Sequence, residues 1–209
     1  REKQGCRNGQ YLTPAIYRLG ILIMLKVVKF GGSSLADANQ FKKVADIIRA
    51  EDSRRYVVPS APGKRSKTDT KVTDMLYACY DMASKGEDFS DFFAEIEARY
   101  EGIIDGLGLD YSLDAEFESI RNAFIHKAGR DYAASRGEYL NGLILAKYLG
   151  FDFIDAATVI FFKDNGQLDA ERTNTVLGAK LREHEHAVIP GFYGSMPNDT
   201  IKTFSRGGS

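Results

Sequence analysis

The sequence predicts an α/β fold in which a mainly parallel sheet is sandwiched by helices. Short apolar runs alternate with amphipathic segments of helical period, and the first such unit is strand, helix and strand over residues 26–58. Three of the apolar runs lead into glycine-containing turns. Because parallel strands bring their carboxyl ends to one edge of a sheet, these turns mark the edge where a ligand is expected.

The composition is that of an ordinary globular protein with one domain or two. The chain has 209 residues, of which 44% are hydrophobic and 27% charged. Its net charge of −1 provides no overall field for nucleic acid or for an anionic membrane surface, so any anion site must be local. Cys6 and Cys79 lie far apart and lack metal-ligand or redox spacing, which favours a reducing compartment. We therefore expect a cytoplasmic location.

The first 23 residues differ in pattern from the rest of the chain. Residues 1–10 are polar and without period, while residues 17–24 are apolar but too short to span a membrane. No small-residue cleavage site follows the apolar run, which argues against a signal peptide. Met24 is a natural first residue, so we predict that residues 1–23 are a loosely ordered upstream extension.

The first strand is predicted over residues 26–30 and ends at two adjacent glycines. A helix then runs from one of the two following serines to about residue 50, with an apolar stripe that packs on the sheet and Asp37 near its start. A second short strand covers residues 56–58 and stops at Pro59. Strand, helix and strand in this order predict a parallel unit.

A polar, basic loop over residues 60–70 follows the second strand. The pair Gly63-Lys64 invites comparison with a P-loop, but Arg65 occupies the position that needs Ser or Thr, and Val58 that of the first glycine. That motif is therefore rejected. Two interpretations of the loop stay open, a solvated loop and a mobile flap over a phosphate-bearing ligand.

The middle of the chain is predicted to be a helical insertion that covers one end of the sheet. Amphipathic helices are expected over residues 72–79, 89–104, 113–125 and 139–149. Strand-like segments then return at residues 151–155, 159–162, 187–190 and 200–204, with a turn at 163–166 and a helix at 173–183.

The stretch after the first strand is a candidate phosphate site. Backbone N–H groups at a helix start attract anions, and a phosphate approaches closest where no Cβ intervenes, as at Gly31 and Gly32. Lys29 adds a full positive charge beside them. The alternative is a purely structural turn from a buried strand into a helix.

Three glycine turns are expected to converge on one edge if the sheet is parallel. They are Gly31-Gly32, residues 191–194 and Gly207-Gly208. Their convergence favours the phosphate site over the structural turn. Arg206 and Ser209 beside the last pair add further anion-binding chemistry.

Two further groups have a structural and a functional interpretation. Glu138 is predicted to precede a helix, where it either favours the helix dipole or acts as a substrate-binding carboxylate. Residues 183–186, Glu-His-Glu-His, do not share one helix face and have no third cluster, so no metal ligands are predicted. No arrangement of Ser, His and Asp or of Cys and His indicates nucleophilic catalysis.

Together these motifs resemble those of aspartate kinases, in the amino acid kinase superfamily. The matching segments, in order along the chain, are residues 29–34, 60–63, 137–138, 191–194 and 206–209. The resemblance covers residues 24–209 and implies an amino acid kinase-like fold that is incomplete at the C-terminus, of which these residues are the N-terminal, amino-acid-binding part.

The resemblance implies a role for each matching residue. Lys29 and Gly32 would be catalytic, and Lys29, Gly31, Gly32 and Ser33 would hold the nucleotide phosphates. The residues implied in aspartate binding are Ser60, Thr73, Glu138, Phe192, Arg206, Gly208 and Ser209. It further implies ATP with Mg²⁺ as co-substrate, L-aspartate as acceptor, a place in lysine, threonine and methionine biosynthesis, and a homo-oligomer at full length.

The sequence departs from the family at two places, and two alternatives stay open. Asn141 and Gly142 stand where a Ser-Ala pair is expected, and the nucleotide-base half and regulatory domains are not in this chain. The activity of the fragment by itself is therefore left open. One alternative is another amino acid kinase with a glutamate-type acceptor, and the other is a non-catalytic amino-acid-binding module.

Overall fold

The computed structural model describes residues 25–204. The strands are β1 Lys26–Phe30, β2 Arg54–Pro59, β3 Asp152–Phe153, β4 Ala187–Val188, β5 Tyr193–Ser195 and β6 Ile201–Thr203. The α-helices are α1 Ala38–Arg49, α2 Val72–Lys85, α3 Ser90–Leu107, α4 Asp114–Ile125, α5 Arg130–Leu149 and α6 Ala170–Arg182. The predicted α/β class is confirmed.

Four strands form a wholly parallel sheet in the order β1-β2-β4-β3. Val57 at its centre pairs with Val28 on one side and with Val188 on the other. Strands β5 and β6 instead pair antiparallel in a separate two-stranded sheet. The strand that leads toward Gly207-Gly208 therefore lies outside the parallel sheet, which removes the predicted reason for the third glycine turn to share its edge.

Helices cover both faces of the parallel sheet. Val57 and Val188 belong to the large core that includes residues of α1 to α5, whereas Ala187 belongs to a second core on which α6 packs. Since neighbouring residues of a strand point to opposite faces, these two cores lie on the two sides of the sheet. The Tyr56 hydroxyl on β2 donates a hydrogen bond to the Leu181 carbonyl oxygen on α6 at 2.9 Å, which connects the sheet to this helix.

The insertion between β2 and β3 is helical, as predicted. Helices α2 to α5 share an aromatic cluster in which Phe93 lies edge-on to Phe117 and Phe124, with ring centroids 6.2 and 6.1 Å apart. Such pairs add about 0.5–1.5 kcal/mol each beyond the area they bury. Helix α5 contacts β2, β3 and β4, so it carries the insertion onto the sheet.

Helix α1 begins later than the sequence pattern suggested. A four-residue 3-10 helix, Gly32–Leu35, follows β1, and α1 starts only after Asp37, whose carboxylate accepts a hydrogen bond from the Gln40 N–H at 3.0 Å. Asp37 is thus the N-cap of α1 and separates this helix from the preceding 3-10 helix. The prediction of a strand at residues 159–162 is wrong, since this segment forms only isolated bridges, of Phe161 with Ser195 and of Phe162 with Leu168.

Helix α5 begins earlier than the pattern suggested, at Arg130 instead of residue 139. The sequence pattern failed because Ser135, Arg136 and Gly137 are buried, so the first half of the helix has no apolar stripe. Glu138 consequently lies in the middle of a 20-residue helix. The helix dipole does not explain its presence there, since that effect fades within the first turn.

Several predictions lie outside the described residues. These concern the extension at residues 1–23 and the roles of Arg206, Gly208 and Ser209. Between residues 25 and 204, no helix has the length and apolarity required to cross a lipid bilayer.

Candidate functional site

Two glycine loops meet at the carboxyl ends of β1 and β2. The Gly63 N–H donates to the Gly32 carbonyl oxygen at 2.8 Å, and the Ser60 N–H donates to the Phe30 carbonyl oxygen at 3.0 Å. A Cβ on Gly32 would lie 2.8 Å from the Ala61 carbonyl oxygen, and a Cβ on Gly63 only 2.6 Å from the Gly32 carbonyl carbon. Both glycines are therefore required for this close backbone contact.

Alanine at Gly32 is expected to destabilise the fold, while alanine at Gly31 is not. The new methyl at Gly32 meets backbone, so a loop must shift at a cost of about 1–3 kcal/mol. Gly31 has φ −76° and nothing within 4 Å of its would-be Cβ, so Gly31→Ala is a matched control. Urea unfolding of both variants measures the difference, and equal midpoints for the two would contradict the close contact.

A cavity of about 450 Å³ opens between the two loops and α5. Five of the predicted site residues line it, namely Gly32, Ser33, Ser60, Thr73 and Glu138. The cavity is also lined by Ala61, Pro62 and Gly63, which belong to the matching segment at residues 60–63, and by Lys64 and Lys71, which the family motifs did not single out. The two ends of the basic loop, residues 60–64 and Lys71, thus line the cavity, while residues 65–68 between them are exposed.

Helix α5 brings Glu138 into the cavity through a close helix–loop contact. A Cβ on Gly137 would lie 2.8 Å from the Ala61 Cβ and 3.7 Å from the Thr73 hydroxyl oxygen. The Tyr100 hydroxyl, itself buried, donates to the Gly137 carbonyl oxygen at 2.8 Å. The glycine before the glutamate therefore allows the helix to approach the loop that it faces.

The Glu138 carboxyl is buried, and its Oε2 accepts no hydrogen bond from any described residue. Burial raises its pKa to about 8, against opposing effects from the positive charge of Lys29 and a hydrogen bond from the Ala61 N–H. A would-be Cβ of Gly191 lies 3.6 Å from this oxygen. A cationic ligand group at this oxygen would satisfy it and favour its charged form.

Lys29, at the end of β1, belongs to the same electrostatic environment, since its charge acts on Glu138. The anion site at Gly31 and Gly32 stays a prediction, but the long helix expected at that point does not start there, because the helix at Gly32–Leu35 has only one turn and α1 starts at Ala38. The dipole of a long helix therefore does not act at Gly31 and Gly32. Positive charge near the cavity comes from lysines, including Lys64 and Lys71.

Asn141 and Gly142, which depart from the family pattern, both have a packing role. The Asn141 amide donates from Nδ2 to the Ser60 carbonyl oxygen at 2.6 Å, while its buried Oδ1 accepts no hydrogen bond from the described residues. A Cβ on Gly142 would lie 2.9 Å from the Pro190 ring and 3.0 Å from Phe153. Asn141 thus fixes the Ser60 loop one helical turn beyond Glu138, a contact that the sequence pattern did not indicate.

Phe192 is not among the residues that line the cavity, and its predicted role stays a prediction. Its φ of 73° lies in the left-handed region, which is uncommon for a residue other than glycine. The Phe192 carbonyl oxygen accepts a hydrogen bond from the Phe204 N–H at 2.8 Å. In this segment it is Gly191 that approaches Glu138.

The histidines near residue 185 have structural contacts. His184 Nδ1 pairs with an Asp152 carboxylate oxygen at 2.7 Å, and the His186 ring lies 4.6 Å from the Phe151 ring. Among residues 25–204, no group of three or more His, Cys, Asp or Glu side chains is arranged to hold a metal ion.

The site combines two glycine loops at the edge of a parallel sheet with a buried carboxyl on which the charge of Lys29 acts. Comparison with known families identifies the class of protein that has these features. The model of the Amino acid kinase family matches residues 24–209, so the chain belongs to the amino acid kinase family. Within it, the chain is 34% identical to Aspartokinase 3 of Bacillus subtilis (strain 168) over 204 residues.

Solved structures agree with this assignment. A crystal structure of Clostridium acetobutylicum aspartate kinase matches with a TM-score of 0.85 and 51% identity over 88% of this chain. E. coli aspartokinase III in complex with aspartate and ADP matches with a TM-score of 0.72 and 25% identity, again over 88% of this chain.

The chain spans less than half the length of these relatives. It covers 44% of the Bacillus protein, 42% of the Clostridium chain and 44% of the E. coli chain.

Proposed function

We propose that this chain is the amino-acid-binding part of an aspartate kinase, which transfers the γ-phosphate of ATP to the side-chain carboxylate of L-aspartate. The bond between the γ-phosphorus and the β,γ-bridging oxygen breaks, a bond to the carboxylate oxygen forms, and 4-phospho-L-aspartate and ADP result. The main support is the buried Glu138 oxygen that accepts no hydrogen bond from any described residue, in a cavity lined by Lys64 and Lys71 and under the influence of the Lys29 charge. The E. coli relative was solved with aspartate and ADP.

The residues divide into an acceptor side and a phosphate side. Glu138 binds the α-ammonium group of aspartate, and this cation satisfies its unpaired oxygen. Lys29 stabilises the transferring phosphoryl group, and the Gly31, Gly32 and Ser33 segment lies against the nucleotide phosphates. An acceptor carboxylate is already ionised at neutral pH, so no general base is required.

The other side chains of the proposed site bind aspartate. Ser60 and Thr73 line the same cavity as Glu138. Arg206 would bind a substrate carboxylate by a bidentate pair, and Phe192, Gly208 and Ser209 are proposed as further contacts of the substrate.

The nucleotide is proposed to be ATP with Mg²⁺. Glu138 is the one carboxylate among the described residues that line the cavity, so these residues do not form a metal site by themselves. Mg²⁺ is therefore part of the nucleotide substrate. We further propose a homo-oligomer at full length, a cytoplasmic location and a role in the first step of lysine, threonine and methionine biosynthesis.

A competing function within the family is a kinase with a glutamate-type acceptor. A competing function outside catalysis is a module that binds an amino acid and transfers no phosphate. The first alternative differs from the proposal in the acceptor that binds, and the second differs in the absence of phosphoryl transfer, so binding and turnover are both measured.

Isothermal titration calorimetry of this chain with L-aspartate, L-glutamate and ATP tests the proposal. We expect aspartate to bind at least tenfold more tightly than glutamate, because the longer side chain cannot place both its ammonium and its carboxylate in a site sized for aspartate. Tighter binding of glutamate would favour the other acceptor. The complete gene product should also convert aspartate and ATP to 4-phospho-L-aspartate, and aspartate binding without turnover there would favour the module.

A further inference from the structure

Arg99 is a charged residue in the apolar stripe of α3. The other buried residues of this helix are Phe93, Ile96, Tyr100, Ile103 and Ile104. Only 6% of Arg99 is exposed, and burial lowers the pKa of its guanidinium. A buried charge is costly unless its donors are fully used, so the partners of this side chain indicate its role.

The guanidinium reaches three acceptors on two separate segments. Nη2 donates to the Gly63 carbonyl oxygen at 2.5 Å, and Nη1 donates to an Asp69 carboxylate oxygen at 2.8 Å. Nε donates to the Ala36 carbonyl oxygen at 3.4 Å, directly after the Gly32–Leu35 turn. One side chain therefore joins the turn after β1 to the loop after β2, behind the point where the two meet.

Asp69 also binds Arg65, four residues earlier in the same loop. Its carboxylate accepts hydrogen bonds from the Arg65 backbone N–H at 2.8 Å and from the Arg65 guanidinium at 2.9 and 3.0 Å. Arg65, above all, and Arg99 hold the pKa of the Asp69 carboxyl well below its usual range. The loop is thus tethered to α3 through a carboxylate shared by two arginines.

We propose that Arg99 is a positioning residue of the phosphoryl-transfer site, which holds the loop at residues 60–71 against the Gly32 turn. The proposal rests on the proposed function. By fixing Gly63 and Asp69, Arg99 places Lys64 and Lys71, which line the cavity, where they face a phosphate-bearing ligand. A planar guanidinium can serve three acceptors at once, whereas a lysine ammonium at the end of a flexible stem cannot match that geometry.

Limited proteolysis with trypsin reports on the loop directly, because Lys64, Arg65 and Lys67 are cleavage sites within it. We expect Arg99→Met to speed cleavage at these sites at least tenfold, and Arg99→Lys to speed it less. Arg121→Met is a matched control, because Arg121 also pairs with a carboxylate, that of Glu97, and its described partners belong to α3 and α4 and not to the loop. It should leave the rate of loop cleavage unchanged.

Asp69→Asn tests the same contact in a variant that keeps the buried guanidinium and an acceptor for it. We expect loop cleavage to rise at least threefold with an unchanged circular dichroism spectrum. Cleavage of Arg99→Met at similar rates throughout the chain would show that this variant does not fold. The proposal is then tested by loop cleavage in Asp69→Asn and Arg99→Lys. Loop cleavage at the wild-type rate in both would overturn the proposal.

Kinetics in the complete gene product separate positioning from general stability. Arg99→Lys is expected to raise the KM for ATP about tenfold with a smaller effect on kcat, because the loop lysines are misplaced while Lys29 is untouched. An unchanged KM for ATP would overturn the proposal. A wild-type protein without kinase activity would refute the proposed function. Proteolysis does not require kinase activity, so it would still test whether Arg99 holds the loop in place.

Discussion

Lys29→Ala is expected to lower kcat of the complete gene product by about a hundredfold, with little change in the fold. A carboxylate that attacks a polyphosphate brings two anions together, so a fixed positive charge contributes most when charge is redistributed in the transition state. Lys29 stands at the end of β1, and its side chain is exposed, so its removal opens no cavity in the core.

The measurement is a steady-state kinase assay together with thermal unfolding of the same preparations. Lys42→Ala, on the exposed face of α1, is the matched control and should retain normal turnover. If Lys29→Ala turned over at a rate near that of the wild type, Lys29 would have no part in the mechanism.

Much of the fold could be predicted because hydrophobic period and glycine punctuation are local signals. The strands around Val28, Val57 and Val188 are short apolar runs, and the parallel order follows from the helices between them. The helices from α2 to α4 were predicted for the same reason, since each buries a regular stripe. The pairing of β5 with β6 joins residues only six to ten positions apart in a hairpin, and it was missed because residues 191–194 were interpreted as a glycine turn and not as the approach to a strand.

The candidate site was predictable where a motif shows directly in the sequence and was not where polar residues are buried. Gly32 was found from a glycine turn at a strand end, and Ser60 from the resemblance to the family motifs. The start of α5 was wrong because its buried face carries Ser135, Arg136 and Gly137, so a periodicity of apolar residues does not exist there. Arg99 could have been noticed as a lone charge within an apolar stripe, but its acceptors lie 30 or more positions away in sequence.

The two charged groups of the site influence each other. Burial disfavours the charged form of Glu138, while Lys29 favours it, and the balance leaves the pKa at about 8. Near neutral pH the carboxyl is therefore mostly protonated, and it must lose its proton to bind an ammonium group. Aspartate binding should thus release protons at pH 7 and tighten as the pH rises toward 8, which calorimetry in two buffers of different ionisation enthalpy measures.

Glu138→Gln is expected to weaken aspartate binding about tenfold to a hundredfold, because a charged hydrogen bond is replaced by a neutral one. The same substitution should stabilise the chain at alkaline pH. In the unfolded chain the carboxyl ionises near 4.5, whereas in the folded chain it keeps its proton up to about 8. The contribution of Glu138 to stability is therefore fully present below pH 4.5 and is lost as the pH rises through 8.

A glutamine does not ionise, so the free energy of unfolding of Glu138→Gln should exceed that of the wild type by an amount that grows with pH. At about 1.36 kcal/mol per pKa unit, the gain between pH 5 and pH 9 is about 3–5 kcal/mol. Urea unfolding at the two pH values measures it, with the exposed Glu87→Gln as control. A difference that stays constant with pH would show that Glu138 is ionised in the folded chain, and the ammonium site would then need no proton release.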